Sequence, residues 1–156
     1  MHIYFGGGCF WGVEAEFRKL NGVVATSVGY MGGSTIDPSY EQVCTGLTGH
    51  AEVVEVEFDE KIISIQDLLD VFMNIHDPKQ LNKQGPDIGT QYRSVIFFTN
   101  NDQKEVSLKK IAYMNNQMKN SVVTDIKPQE EFYIGEDYHQ KYLEKKGLAS
   151  CHLNLS

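Results

Sequence analysis

No run of Lys or Arg longer than a pair, such as Lys109-Lys110 or Lys145-Lys146, occurs in the 156 residues, and the net charge is −7. An acidic surface without a basic stripe repels phosphate, so nucleic acid is not an expected partner. Long apolar runs are also lacking. Stretches such as Val95–Phe98 fall far short of the roughly 20 residues a membrane span needs. The start, Met1-His2-Ile3-Tyr4-Phe5, shows no charged leader followed by a signal-type apolar stretch, so the cytosol is the expected compartment. Cysteine is scarce and odd in number: Cys9, Cys44 and Cys151 are scattered along the chain. That is neither a disulfide framework nor a zinc site, and the five histidines do not fall at ligand spacing with the cysteines, so no metal is expected. Dispersed thiols of this kind are either buried fillers or reactive groups.

What is present is an ordinary globular composition with no repeat, linker or low-complexity tract. A chain of this length forms one expected domain over residues 1–156, burying roughly 70% of the surface its unfolded chain exposes. Monomer is the default state. The pattern predicts a strand at His2–Gly6 and a helix from near Cys9, with Phe10, Val13, Phe17 and Leu20 on one face. A strand near Val23–Tyr30, a long irregular stretch from Met31 to Gly49 and a strand at Ala51–Phe58 follow. Ser64 with Asp67 signals a helix N-terminus. After a loop from Asp77 to Gly89 come a strand over Tyr92–Thr99, a helix over Asp102–Met118 and a strand over Val122–Ile126. A last helix over Asp137–Lys146 is stopped by Gly147, and a C-terminal coil, 147–156, is expected to be mobile. The order β-α-β-β-α-β predicts an α+β fold, a two-layer α/β sandwich of the ferredoxin-like, split-βαβ type.

The most informative segment is Gly6-Gly7-Gly8-Cys9-Phe10-Trp11-Gly12. It lies where a strand ends and a helix begins. Glycines let the backbone turn sharply and leave the first helical N–H groups open, and the positive end of the helix dipole favours thiolate over thiol at Cys9. Phe10 and Trp11 supply an apolar wall. A buried cysteine in a tight turn is the plainer alternative. The triple glycine lacks the Lys-Ser/Thr of a phosphate loop.

Two further segments carry polar groups of interest. In Gly49-His50-Ala51-Glu52, strand alternation puts Glu52 on the face of Val54, Val56 and Phe58. A carboxyl on an apolar face is expensive unless neutral or bonded. Desolvation there would raise its pKa and suit it to act as a general acid, whereas a rim glutamate reaching solvent would not. Thr90-Gln91-Tyr92-Arg93-Ser94 follows Pro86-Asp87-Ile88-Gly89. Tyr92 and Tyr40 are aromatic groups with a polar tip, able either to donate to an oxygen or merely to pack.

Taken together, Gly-Cys-Phe-Trp-Gly at 8–12, Tyr-Glu-Gln-Val-Cys at 40–44, Gly-His-Ala-Glu at 49–52, Gly-Thr-Gln-Tyr-Arg-Ser at 89–94 and Glu-Asp-Tyr-His-Gln at 136–140 resemble the A-type peptide methionine sulfoxide reductases over nearly the whole chain. Such enzymes repair oxidised methionine. The resemblance implies that Cys9 attacks the sulfoxide sulfur, that Glu52 gives a proton to the oxygen, and that Tyr40 and Tyr92 hold that oxygen. It implies that Phe10 and Trp11 enclose the substrate methyl group, with Asp87, His139 and Tyr142 supporting the pocket. The implied substrates are the S epimer of methionine sulfoxide, peptidyl or free, in oxidised proteins. No cofactor is implied beyond an external reductant, thioredoxin or another dithiol.

A sulfenic acid on Cys9 needs a second thiol. Cys151, in the tail after Gly147 and beside His152, is the expected resolving cysteine through a Cys9–Cys151 disulfide. Here the tail reads Lys145-Lys146-Gly147 and holds one late cysteine, where the family often continues Lys-Asn-Pro and a Tyr-Cys pair. Cys44 is read as buried and structural, with a resolving role as the alternative. Two rival functions stay open at this point: a thiol hydrolase pairing Cys9 with His50 or His139, and a non-catalytic module that recognises methionine-like side chains.

Overall fold

The structure, a computed structural model, describes residues 1–118 and 121–146. Among the described residues, five helices and eight strands follow one another as β1 (His2–Gly6), α1 (Phe10–Arg18), β2 (Val23–Met31), α2 (Tyr40–Cys44), β3 (Ala51–Phe58), α3 (Ile65–Ile75), β4 (Lys83–Gln84), β5 (Asp87–Ile88), β6 (Val95–Phe98), α4 (Asn101–Met118), β7 (Asp125–Pro128), β8 (Tyr133–Ile134) and α5 (Tyr142–Lys145). Six strands form one sheet in the order β7-β6-β1-β3-β2-β8, and β4 with β5 makes a separate hairpin. Strand β3 lies between β1 and β2 and is antiparallel to both. The β1-α1-β2 unit is therefore split by β3, and the mixed α/β architecture expected from the pattern is present. At the β7 edge the pairing with β6 is parallel.

Alternation along the strands decides what faces the helices. Ile3 and Phe5 of β1, Val28 and Tyr30 of β2, and Val54 and Val56 of β3 share one core with Phe10, Val13 and Phe17 of α1 and Leu68, Leu69 and Phe72 of α3. Phe5 stacks on Phe17 with ring centroids 4.8 Å apart. The opposite face carries Tyr4, Met31, Ala51, Val53, Val95 and Phe97, and Phe132 packs onto it. Residues 129–132 join β7 and β8 at opposite edges of the sheet, which is why a single ring from that connection covers this face. The predicted start of α3 is capped as expected: Ser64 Oγ accepts from Asp67 N–H and the Asp67 carboxylate accepts from Ser64 N–H, a box worth about 1 kcal/mol.

The structure departs from the sequence pattern in five places, each with a local cause. Residues 31–49 contain α2, whose Ser39 and Gln42 form a second capping box. The 77–89 loop contains the β4–β5 hairpin. Tyr92 is in a 3-10 turn, Thr90–Tyr92, rather than at the start of a strand. Its carbonyl accepts Gly8 N–H at 3.1 Å, so the backbone there serves the glycine turn and the ladder begins only at Val95. The expected strand at Val122 starts at Asp125 instead, because Val122 N–H donates to Asn115 Oδ1 and Val123 N–H to the Pro78 carbonyl. The expected last helix is broken into a 3-10 turn, Asp137–His139, and α5. Lys141 stands between them with φ +55°, and its N–H donates to the buried Glu14 carboxylate at 2.6 Å. Gly147, the coil expected to be mobile and Cys151 lie outside the described residues.

Candidate active site

Cys9 is the residue that caps α1, in extended conformation with φ −62° and ψ 124°. The turn that brings it there needs small residues. Gly8 has φ +90°, and a Cβ on Gly7 would lie 2.9 Å from the His76 ring. The thiol is half-exposed. It sits at the end of a nine-residue helix, where backbone N–H groups and the helix dipole favour negative charge.

One of those N–H groups is already used. Phe10 N–H donates to Glu52 Oε1 at 3.1 Å, so the buried carboxyl of Glu52, 1% exposed, lies directly beside the residue after Cys9. Glu52 comes from β3 opposite Tyr30 of β2, on the helix-covered face as strand alternation predicts. Around it stand three phenols. Burial first, then the electrostatic influence of the Glu52 carboxyl among others, holds the hydroxyls of Tyr40 and Tyr92 far above the ordinary phenol range. For Tyr30, burial and its hydrogen bond to Glu136 have the same effect. All three stay protonated donors. Tyr92 is also within electrostatic reach of Asp87 and Cys9, so residues from positions as far apart as 9 and 92 share one neighbourhood.

An aromatic wall completes the site. Phe10 is fully buried, with Tyr40 stacked 6.2 Å from it and Trp11 tilted at 6.5 Å. Tyr142 stacks on Trp11 at 3.8 Å. Trp11 Nε1–H donates to His139 Nδ1 at 2.9 Å. His139 is fully buried, and burial lowers its pKa despite the nearby Glu136, so it is neutral with its proton on Nε2. A cavity of about 510 Å³ opens between Trp11, Tyr40, Tyr138, His139 and Tyr142, with Lys145 and Lys146 at its side. His139 and Tyr142 thus support the wall through Trp11.

Neither imidazole of the hydrolase reading, His50 nor His139, is available to activate Cys9 as a nucleophile. His50 Nδ1 accepts Gly33 N–H and its Nε2 donates to the Thr35 carbonyl. His139 has its acceptor nitrogen on Trp11. Among the described residues, no group of three or more His, Cys, Asp or Glu side chains could hold a metal ion, and no helix is long and apolar enough to cross a membrane.

Several residues the sequence analysis passed over hold the site together. Glu136 accepts from the Tyr30 hydroxyl at 2.9 Å and from Tyr40 N–H at 3.0 Å, which fixes both phenols. Gln140 pairs its amide with both backbone groups of Val28. Glu14, 1% exposed, accepts from Thr26 Oγ and Lys141 N–H, fastening the chain that carries Tyr142 to α1. A signal for Glu14 was available: it occupies a buried position on the Phe10–Val13–Phe17 stripe, the same anomaly that singles out Glu52. Cys44 is corrected. It is exposed at the end of α2 rather than buried, because α2 is a short surface helix that turns only Val43 into the core. Partial burial of its sulfur and the carboxylates of Glu52 and Glu136 raise its thiol pKa, with the Tyr40 hydroxyl bond opposing.

His76 ties the glycine turn to the strand that follows Tyr92. Its Nδ1 donates to the Phe72 carbonyl at 2.6 Å and its Nε2 accepts from Ser94 Oγ at 2.7 Å. Burial depresses its pKa to about 4. Between that value and the unfolded value near 6.5, the unfolded chain binds the extra proton, so stability is lost as pH falls through this window. The expected loss by pH 4 is about 3 kcal/mol. Urea unfolding of the wild type and His76→Asn at pH 7 and pH 4 checks it, since the difference between their pH slopes must vanish if His76 contributes nothing.

The sequence model of one family, peptide methionine sulfoxide reductase, matches residues 1–156. Peptide methionine sulfoxide reductase MsrA of Methanothermobacter thermautotrophicus is 54% identical over 151 residues, covering 96% of this chain and 89% of that protein. Among solved structures, Mxr1 from Saccharomyces cerevisiae in reduced form superposes with a TM-score of 0.87 at 40% identity, covering 94% of this chain and 86% of that one. Mxr1 in complex with Trx2 gives a TM-score of 0.63 at 28% identity, over 91% and 84% of the two chains.

Proposed function

The chain belongs to the peptide methionine sulfoxide reductase family, and we propose that, as one catalytic domain, it reduces methionine-S-sulfoxide, peptidyl or free, in a thiol cycle that begins on Cys9. The observation that carries the reading is the buried Glu52 carboxyl placed one residue from a helix-capping thiol. A buried carboxyl is costly to ionise, and a neutral one has a proton to give. In the first step the Cys9 thiolate attacks the sulfoxide sulfur while Glu52 protonates its oxygen. Tyr40 and Tyr92 donate hydrogen bonds to that oxygen as negative charge develops on it. Phe10 and Trp11 enclose the methyl group. Asp87 lies within electrostatic reach of Tyr92, and His139 and Tyr142 hold Trp11 in place.

Methionine leaves and Cys9 becomes a sulfenic acid. Cys151, in the tail outside the described residues, then displaces the hydroxyl to give a Cys9–Cys151 disulfide. Thioredoxin or another dithiol returns both thiols, and the Mxr1–Trx2 complex supports that partner for a relative. No resident cofactor or metal takes part in this cycle.

The test is a single turnover of reduced protein, without added reductant, on each epimer of a methionine sulfoxide peptide. One methionine per chain from the S epimer alone, with two thiols lost, is expected. No methionine from either epimer would return the protein to the recognition-module reading. In Cys151→Ser the same methionine should form, followed by a stall with thioredoxin; undiminished thioredoxin-driven cycling would remove Cys151 from the mechanism.

A further inference from the structure

Cys9 lines a cavity of about 290 Å³ that is separate from the aromatic one, whose nearest lining residue in the chain is Trp11. Its walls include Gly8, Gly12 and Glu16 on one side and Asn74, His76 and Gln84 on the other. At about 3.6 residues per turn, Gly12 and Glu16 fall on the side of α1 away from Trp11, Glu14 and Arg18. The far wall is rigid and neutral. Gln84, 7% exposed, grips both backbone groups of Asp77 with its amide, and both His76 nitrogens are bonded. Next to Cys9 the near wall carries no side chain because glycines stand at 7, 8 and 12, with Val13 and Glu16 further along it; a Cβ on Gly8 would already lie 3.1 Å from the Gln84 side chain.

We propose that this cavity receives the thiol that resolves oxidised Cys9, so that substrate and resolving thiol approach the sulfur from opposite sides. The inference rests on the reductase reading above. There the oxygen left on Cys9 faces Glu52, Tyr40 and Tyr92, the groups that held it in the sulfoxide. Displacement at sulfur is in line: the incoming thiolate must enter opposite the S–O bond, into the antibonding orbital of that bond. A bond forms between the incoming sulfur and Cys9 Sγ, and the S–O bond breaks. The oxygen already carries the sulfenic hydroxyl's proton, takes one more, the proton given up by the incoming thiol, and leaves as water. The thiol is oxidised, the sulfenic sulfur reduced. The aromatic side is occupied by the leaving oxygen, whereas the Gly12–Gln84 side is open, uncharged at its back wall and wide enough for a cysteine side chain or a small dithiol. A thiol on this chain's tail and a thiol in solution face the same in-line requirement.

The test fills the cavity from its rim without touching the aromatic site. Asn74→Trp, on the exposed face of α3, and Glu16→Trp, on α1, are each put through a single turnover, following methionine release and thiol loss separately. Methionine release should stay within about twofold of wild type, and loss of the thiols should slow about tenfold or more. A parallel pair, Cys151→Ser with and without Asn74→Trp, is oxidised by one turnover and then reduced with dithiothreitol; the doubly substituted protein should recover about tenfold more slowly. Slowing in the first arm alone assigns the cavity to Cys151, and slowing in the second alone to an external thiol. Wild-type resolution in both arms overturns the proposal, as does loss of methionine release in both tryptophan variants, which would make the cavity part of the first step. A wild-type chain that forms no methionine is a failure of the reductase reading instead.

Discussion

Cys9→Ser is expected to lower methionine formation by about four orders of magnitude or more, with substrate binding retained. The chemistry needs an ionised, polarisable nucleophile, and the helix N-terminus supplies that for a thiol only. A serine hydroxyl at the same position would need a base, and neither His50 nor His139 can serve as one. His50 has both nitrogens committed to loop backbone, and His139 keeps its acceptor nitrogen on Trp11. The pocket itself is untouched, since Phe10, Trp11 and Tyr40 pack among themselves and with His139. A single-turnover assay with a binding measurement on the same peptide separates the two effects. Turnover within about tenfold of wild type would overturn the assignment of Cys9.

Glu52→Gln is expected to slow the first chemical step by about 10²–10³-fold and to leave substrate affinity nearly unchanged. Glutamine is close in shape, and its carbonyl oxygen can still accept Phe10 N–H, so α1 keeps its start. What it lacks is an acidic proton for the departing oxygen. The protonated phenols of Tyr40 and Tyr92 can stabilise that oxygen but not release it, because burial above all holds their hydroxyls far above neutrality. The methionine burst rate is the measurement. A burst at wild-type speed would reduce Glu52 to a helix-capping carboxyl.

Both residues were visible in the sequence for physical reasons. A cysteine after three glycines at a strand-to-helix junction, and a carboxyl in phase with Val54 and Val56, are local anomalies, and local anomalies survive in one dimension. The strands β1 and β3 were legible from strand alternation, as was the Ser64 cap from its partner three residues on. Tyr92 was legible as a candidate but not as a structure. Its carbonyl is taken by Gly8, 84 positions away, and no propensity scale contains that bond. The same holds for the interrupted final helix, where the tertiary bond from Lys141 N–H to Glu14 overrides helical periodicity.

The sequence by itself determined the reactive types and their local settings: a thiol at a helix start, aromatic neighbours, an acid on an apolar face and a family pattern running through all of them. Only the tertiary structure decided how they meet. Splitting β1-α1-β2 with β3 places Glu52 against Phe10, Glu136 reaches back to fix Tyr30 and Tyr40, and His139 is held neutral under Trp11. It also decided that the cavity Cys9 lines is separate from the aromatic one. Those relations depend on strand order, side-chain packing and desolvation, which arise when segments distant in the chain exclude water from one another.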